Sequence, residues 1–319
     1  MTDYIIFGGS GFIGAHLNEH LLRQGTDTKV HVADIAVRQV GKFDHYCDVR
    51  EPITLDIDAG PQAVIFNLAA VHTTPGHPDH EYFCTNIRGA ENVCDFARRI
   101  NARRIVFTSS IAPYGPGEDR KSEETLPMPT SPYGISKLVA EKIHMIWQAE
   151  DARRQLSVVR PGVVFGKGEG GNFTRLYRAL DRGLFAYPGR RDTLKAGIYV
   201  KDLVRVMVEM ANAPRSNVQL YNACFKEPPR IDAIVRCMQQ TMGRERRIPQ
   251  IPPLMLRSAA KVLGLPGLGA LGFHPDRVEK LMTSTNIDGS KLDRDYPLHF
   301  TLQEALTDWW EDCDRKGLL

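Results

Sequence analysis

Apolar residues along the chain fall into short, nearly unbroken runs, separated by longer stretches in which they return every third or fourth position. The runs are YIIF (4–7), KVHVAD (29–34), HYCDV (45–49), AVIFNLA (63–69), RRIVFTSS (103–110), LSVVRP (156–161) and VQLYNA (218–223). Runs without polar alternation suit parallel strands covered by helices on both faces. The stretches 12–24, 79–100 and 132–150 predict helices. In the second, Phe83, Ile87, Ala90, Cys94 and Ala97 form one stripe; in the third, Val139, Ile143, Ile146 and Trp147 do so, behind a Ser131-Pro132 start signal. Both stripes are expected to pack on the sheet, with a share available to a second subunit.

This alternation predicts an α/β fold of Rossmann type, a doubly wound, mostly parallel seven-stranded sheet. After residue 161 it breaks down into loops such as GKGEGGN (166–172) and PQIPPL (249–254). The expected division is 1–165, with 195–223 returning to it, and a smaller α+β region from 166–194 and 224–319.

Composition narrows the class. The 319 residues are 42% hydrophobic and 25% charged with a formal net charge of +3, too mild and too scattered for a nucleic-acid footprint. Six dispersed cysteines without a CxxC pair indicate neither a zinc knuckle nor a disulfide framework, and fit a reducing cytoplasm. No apolar run reaches the ~20 residues that span a bilayer, and no export signal is legible. The expectation is a cytoplasmic protein with no membrane or nucleic-acid partner.

The loop FGGSGFIG (7–14) follows the first run and opens the first helical stretch. Gly8 permits a tight turn, Gly11 lets a pyrophosphate approach backbone N–H groups, and Gly14 lets the helix lie against the sheet. Asp34 ends the second run some twenty residues later, where a carboxylate accepts adenosine ribose hydroxyls and repels a 2′-phosphate. That combination favours NAD over NADP. Asp48 follows the third run, and Leu68, Ala69 and Ala70 end the fourth with room for a cofactor across the strand ends.

At 133–137, YGISK places Tyr133 and Lys137 one helical turn apart. A phenol titrates near ~10, and an adjacent ammonium stabilises the phenolate, so the pair suits a proton shuttle with a lowered tyrosine pKa. The TSS at 108–110 ends the fifth run just upstream, which brings a Ser110 hydroxyl to the same crevice. His72, His77 and His80 lie close together in VHTTPGHPDH, but their spacing crosses two prolines and matches no ligand motif. A loop bordering the pocket is expected there, and no metal.

These residues, with CDV, TNIRGAENV, TSSIAPYG, SPYGISKLVAEK, RPGVVFGKGEGGN and IYVKDL, resemble the extended short-chain dehydrogenase/reductase superfamily in its nucleotide-sugar epimerase/dehydratase branch, over nearly the whole chain. The resemblance implies Tyr133 as acid/base, Lys137 as the group that tunes it and holds the nicotinamide ribose, and Ser110 on the reacting sugar oxygen, with Ser109 as its substitute. It adds Phe12, Ile13, Val49, Thr108 and Pro161 to the cofactor contacts, and Asn86 as a buried structural asparagine ahead of the helix. Asn172, Lys195 and Arg277 are implied on the substrate's diphosphate side.

Departures from the branch narrow the reaction. Ile111-Ala112 stand where dehydratases place Asp-Glu and decarboxylases place Glu, Val163 replaces an asparagine of many epimerases, and Lys195 replaces an arginine. The implied function is an NAD-dependent nucleotide-sugar epimerase, with a UDP-sugar as substrate, in surface-polysaccharide sugar biosynthesis. A nucleotide-4-keto-sugar reductase with the same Ser-Tyr-Lys set is the alternative; a hydroxysteroid-type dehydrogenase and a non-catalytic NAD-binding regulator stand further off. A homodimer through 79–100 and 132–150 is expected.

Overall fold

The structure is a computed structural model that describes residues 2–25, 28–36, 43–73, 76–251 and 282–319. In chain order its elements are β1 (Thr2–Phe7), α1 (Phe12–Leu22), β2 (Thr28–Asp34), β3 (Asp44–Tyr46), β4 (Val64–Asn67), α2 (Asp79–Arg99), β5 (Arg104–Thr108), α3 (Pro132–Ala149), β6 (Gln155–Pro161), β7 (Val163–Phe165), α4 (Asn172–Asp181), β8 (Tyr187–Pro188), β9 (Gly197–Tyr199), α5 (Val200–Asn212), β10 (Val218–Ala223), α6 (Ile231–Met242), β11 (Gln250–Ile251), α7 (Ser290–Asp295) and α8 (Leu302–Asp312).

The seven expected runs form one sheet in the order β10-β6-β5-β4-β1-β2-β3, every pair parallel. Each strand sends alternate residues to opposite faces. Ile5, Phe7, Ile65, Ile105 and Phe107 lie in a cluster with the apolar residues of α2 and α3. Tyr4, Ile6, Phe66, Val106 and Val159 lie in a second cluster that continues through α1 and α5 to Met238 of α6 and Trp309 of α8. The later part of the chain is therefore packed onto the α1/α5 side of the sheet. Chain order reverses between β1 and β4, so the carboxyl ends of these two strands flank a crevice at the switch point.

The strands are shorter than the apolar runs. HYCDV contributes only His45 and Tyr46 to β3, and AVIFNLA only Val64–Asn67 to β4. The remaining residues of each run turn over the sheet's carboxyl edge, where Leu68 N still donates to Phe7 O at 2.9 Å and Cys47 N to Asp34 O at 3.1 Å.

The helix faces differ more. On α3 the buried residues are Gly134, Ser136, Lys137, Ala140, Glu141, His144 and Trp147, whereas Val139 is 37% and Ile146 62% exposed. On α2 the buried face is Tyr82, Asn86, Gly89, Ala90, Val93, Cys94, Phe96 and Ala97, with Phe83 and Ile87 only half-buried. Of the expected α3 stripe, only Trp147 is wholly interior. Asn86 is buried within α2, in the chain ahead of α3.

Candidate active site

The glycine loop has the geometry its spacing predicts. Gly8 sits at φ +79°, and a Cβ there would lie 2.7 Å from Ala69 N, so the turn abuts the loop after β4. A Cβ on Gly14 would meet Gly8 O at 2.4 Å and Gly9 Cα at 2.6 Å, which is why α1 needs glycine to enter so close to the turn. Gly11 is different: its Cβ would meet only Gly8 O, at 3.3 Å, leaving its outer side open. No side chain caps α1, whose first turn carries Phe12 and Ile13, both half-buried. The open glycine before an uncapped helix start is the cradle that a pyrophosphate requires.

Asp34 closes the adenosine end. Its Oδ2 accepts from Ser10 N at 2.9 Å and its Oδ1 from Ala36 N at 2.8 Å, so the carboxylate is fixed beside the loop. Asp48 is instead held by Arg50, whose Nε and Nη2 approach it at 2.9 and 2.5 Å. Val49 is buried against Gly89, and its carbonyl accepts from Asn92 at 2.8 Å. Leu68, Ala69 and Ala70 are half-buried next to Gly8. Asn86 fastens their loop: it accepts from Val71 N at 2.9 Å, donates to Val71 O at 3.0 Å and donates to Ser136 Oγ at 2.9 Å.

Across the crevice, Ser131 caps α3 by accepting from Gly134 N at 3.1 Å, and Pro132 starts the helix, which sets Tyr133 in its first turn. Ser110 hydrogen-bonds the Tyr133 phenol, and its Oγ also accepts from Ala112 N at 3.1 Å. Lys137, one turn on, is 2% exposed, with Nζ 4.5 Å from the centre of the Phe107 ring. Ser110, Tyr133 and Lys137 therefore gather at the ends of β5 and α3.

The electrostatics depart from the expectation of a depressed tyrosine. Burial raises the Tyr133 pKa, opposed by the Ser110 hydrogen bond and reinforced by Tyr82. The same burial pushes the Lys137 ammonium down to about 7, with Glu141 pulling it upward. In the protein alone desolvation dominates both groups.

Ser109 and Thr108 do not face the crevice. The Ser109 side chain is buried and donates to Glu141 Oε1, while Thr108 Oγ1 lies 4.0 Å from Met207 Sδ on α5. Ser109 is thus corrected from a substrate-facing substitute to a buried tether. Pro161 is buried at the end of β6, its carbonyl accepting from Ile111 N at 3.2 Å.

On the other side, Asn172 is exposed at the first position of α4, whose N-terminal amides are already used by Glu169: Phe173 N and Thr174 N donate to it at 3.3 and 3.0 Å. Lys195 donates to Thr283 O at 2.8 Å, and burial pushes its pKa down to about 8. Arg277 lies outside the described residues. His77 pairs with Glu81 at 2.7 Å. His72 has its pKa lowered by the protein crowding its ring and, among smaller effects, by the charge of Lys137, so this loop borders the lysine. Among the described residues no group of three His, Cys, Asp or Glu is placed to hold a metal ion.

Sequence reasoning did not find what lies behind the lysine. Glu141 is fully buried and takes Arg160 Nε at 2.8 Å and Nη2 at 2.6 Å. The Arg160 guanidinium also lies over the Tyr114 ring, 4.7 Å from its centre, and Tyr114 donates to Asn222 at 2.7 Å. His144 stacks on Phe107 at 4.2 Å; its Nδ1 donates to Ala140 O at 2.7 Å and its Nε2 accepts from Asn67 at 3.2 Å. The legible signal was Glu141 at four residues from Lys137 and Arg160 inside an apolar run, charges that burial tolerates only as a pair.

The family profile for NAD-dependent epimerases/dehydratases matches residues 4–224. The chain belongs to this family. Its cofactor is NAD, and the glycine cradle with the fixed Asp34 carboxylate fits that group. The N-acetyl-α-D-glucosaminyl-diphospho-ditrans,octacis-undecaprenol 4-epimerase of Escherichia coli O157:H7 is 25% identical over 322 residues, covering 95% of this chain and 93% of its own. Among solved structures, the enzyme WbmG of Bordetella bronchiseptica in complex with NAD superposes with a TM-score of 0.77 at 18% identity, over 99% of this chain and 95% of that one. MoeE5 in complex with UDP-glucose and NAD gives 0.73 at 22%, over 98% and 99%. The chain is thus an enzyme of the extended short-chain dehydrogenase/reductase epimerase type, and no helix among its described residues is long and apolar enough to cross a membrane.

Proposed function

We propose that the protein is a 4-epimerase of diphosphate-linked sugars, acting on a UDP-sugar in surface-polysaccharide sugar biosynthesis. The observation that carries this reading is the grouping of Ser110, Tyr133 and Lys137 at the crevice mouth opposite the Gly8–Gly14 cradle. The Gly8–Gly14 cradle and the Asp34 carboxylate would hold NAD, which would supply reversible hydride transfer at the sugar carbon. The chain's own residues handle the rest: Tyr133 takes the hydroxyl proton and later returns it, Ser110 holds the reacting oxygen, and Lys137 supplies positive charge to the phenolate. Desolvation of Tyr133 keeps its proton on until substrate and cofactor arrive.

Residues 1–165 with 195–223 hold the cofactor in this account, and 166–194 with 224–319 hold the substrate through Asn172 and Arg277, joined by Lys195 from the first residue of the returning segment. The outward apolar residues of α3, Ile135, Val139 and Ile146, support a homodimer through α2 and α3. A lipid-diphosphate sugar is the second reading of the substrate, because the undecaprenol-diphosphate relative matches nearly end to end. A reductase with the same three residues is disfavoured by the fixed Asp34 carboxylate where NADPH is the donor.

The test is a panel of UDP-sugars, with lipid-diphosphate N-acetylglucosamine alongside, incubated without added cofactor and followed by NMR. A new 4-epimer with the native protein, and none with Tyr133→Phe, is the expected result. Conversion that requires added NAD(P)H, or full activity in Tyr133→Phe, contradicts the reading.

A further inference from the structure

A second cavity lies apart from the crevice, between α6, β8 and the segment leading into β11. It is an open cavity of about 470 Å³, lined by Tyr187, Arg191, Asp232, Arg236, Arg246 and Arg247, with Gln239 and Ile248 completing the wall. None of these belongs to the residue set of the crevice.

Four guanidiniums share this space with one carboxylate, and that carboxylate is engaged outside the set: Arg230 Nη2 lies 2.9 Å from Asp232 Oδ2. Arg191 is held in place, stacked 5.0 Å from the centre of the Tyr187 ring and donating to Ile248 O at 3.2 Å. Arg236, Arg246 and Arg247 have no acidic partner among the described residues. Nearby Arg244 shows the contrast, paired with Asp181 at 2.6 Å. Guanidinium groups do not shed their protons, so four of them around one open, solvent-exposed cavity make a region of positive potential that attracts an anion. Their planar forks match the oxygens of a phosphate group two at a time.

We propose that this cavity is a second binding site, for a ligand that carries a phosphate or diphosphate group, separate from the Tyr133 crevice. Tyr187 gives the ligand an aromatic wall, and Arg191 enters already oriented. The remaining three arginines close on the anion from α6 and from the 244–248 segment. A soluble phosphorylated compound and the headgroup of an acidic phospholipid offer the same chemistry.

The experiment uses the full chain with its crevice filled by saturating NAD and UDP. Inorganic pyrophosphate is titrated by calorimetry, and co-sedimentation is measured with vesicles of phosphatidylglycerol and phosphatidylcholine against vesicles of phosphatidylcholine alone. Binding of pyrophosphate, weakened about tenfold or more in Arg236→Gln/Arg246→Gln/Arg247→Gln, supports a soluble ligand. Binding to acidic vesicles alone, lost in the same variant, supports a headgroup. The milder Arg246→Gln should give an intermediate loss, with released NAD and melting temperature unchanged. Absence of binding in both arms, equal binding by native and triple-variant proteins, or binding that appears only when UDP is left out, overturns the proposal.

Discussion

Arg160 and Glu141 form a doubly hydrogen-bonded ion pair out of contact with water, with Nε to Oε1 at 2.8 Å, Nη2 to Oε2 at 2.6 Å and side-chain exposures of 3% and 0%. Glu141 stands one turn beyond Lys137 on α3, and the same carboxylate takes the Ser109 hydroxyl from the end of β5. One pair thereby locks the helix that carries Tyr133 and Lys137 against the strand that delivers Ser110.

Removing one partner leaves the other charged and buried. Glu141→Gln is expected to lower stability by roughly 3–5 kcal/mol, while Glu141→Met/Arg160→Met loses less than the single change, because no lone charge remains. Urea unfolding of the two variants checks this. A double variant weaker than Glu141→Gln contradicts it.

His144 sets a pH limit on the fold. Its ring is fully buried, and desolvation, with a smaller effect from Lys137, pushes its pKa down to about 4. An unfolded histidine titrates near ~6.5, so between these values the unfolded chain binds the proton and the folded one does not. Stability therefore falls as the pH drops from about 6.5 to 4, by on the order of 3 kcal/mol. His144→Phe, measured by urea midpoint across that range, should flatten this slope, even though its baseline is lower for the loss of the Asn67 bond.

The loop glycines separate into folding and binding roles. Gly14→Ala forces a methyl group to within 2.4 Å of Gly8 O and should destabilise by about 3 kcal/mol. Gly11→Ala meets only one atom, at 3.3 Å, so its melting temperature should stay close to native while NAD affinity falls about tenfold or more. Thermal melts paired with NAD titration distinguish the two.

The difference between those glycines was legible in the sequence because it is local: spacing after a strand dictates both turn and approach. The same holds for the seven strands and for Tyr133 and Lys137, one turn apart. The inner face of α3 was not legible. Periodicity favoured Val139 and Ile146, yet the helix buries Lys137, Glu141 and His144. Glu141 and His144 are tolerable inside because Arg160, Ser109 and Asn67 arrive from other strands, and pairings across the sheet leave no trace in a helical pattern. Ser109 was misread for the same reason: adjacent strand residues point to opposite sides, and Glu141 claims it.

The most direct test of the account follows a deuterium label at C4 of the sugar diphosphate that the enzyme accepts. If the carbon is oxidised and then reduced within one crevice, the 4-epimer formed in ordinary water without added cofactor retains its deuterium, as read by mass spectrometry and NMR. Loss of the label to solvent would contradict transient oxidation of the sugar carbon beside Tyr133 and replace it with inversion through proton exchange at carbon.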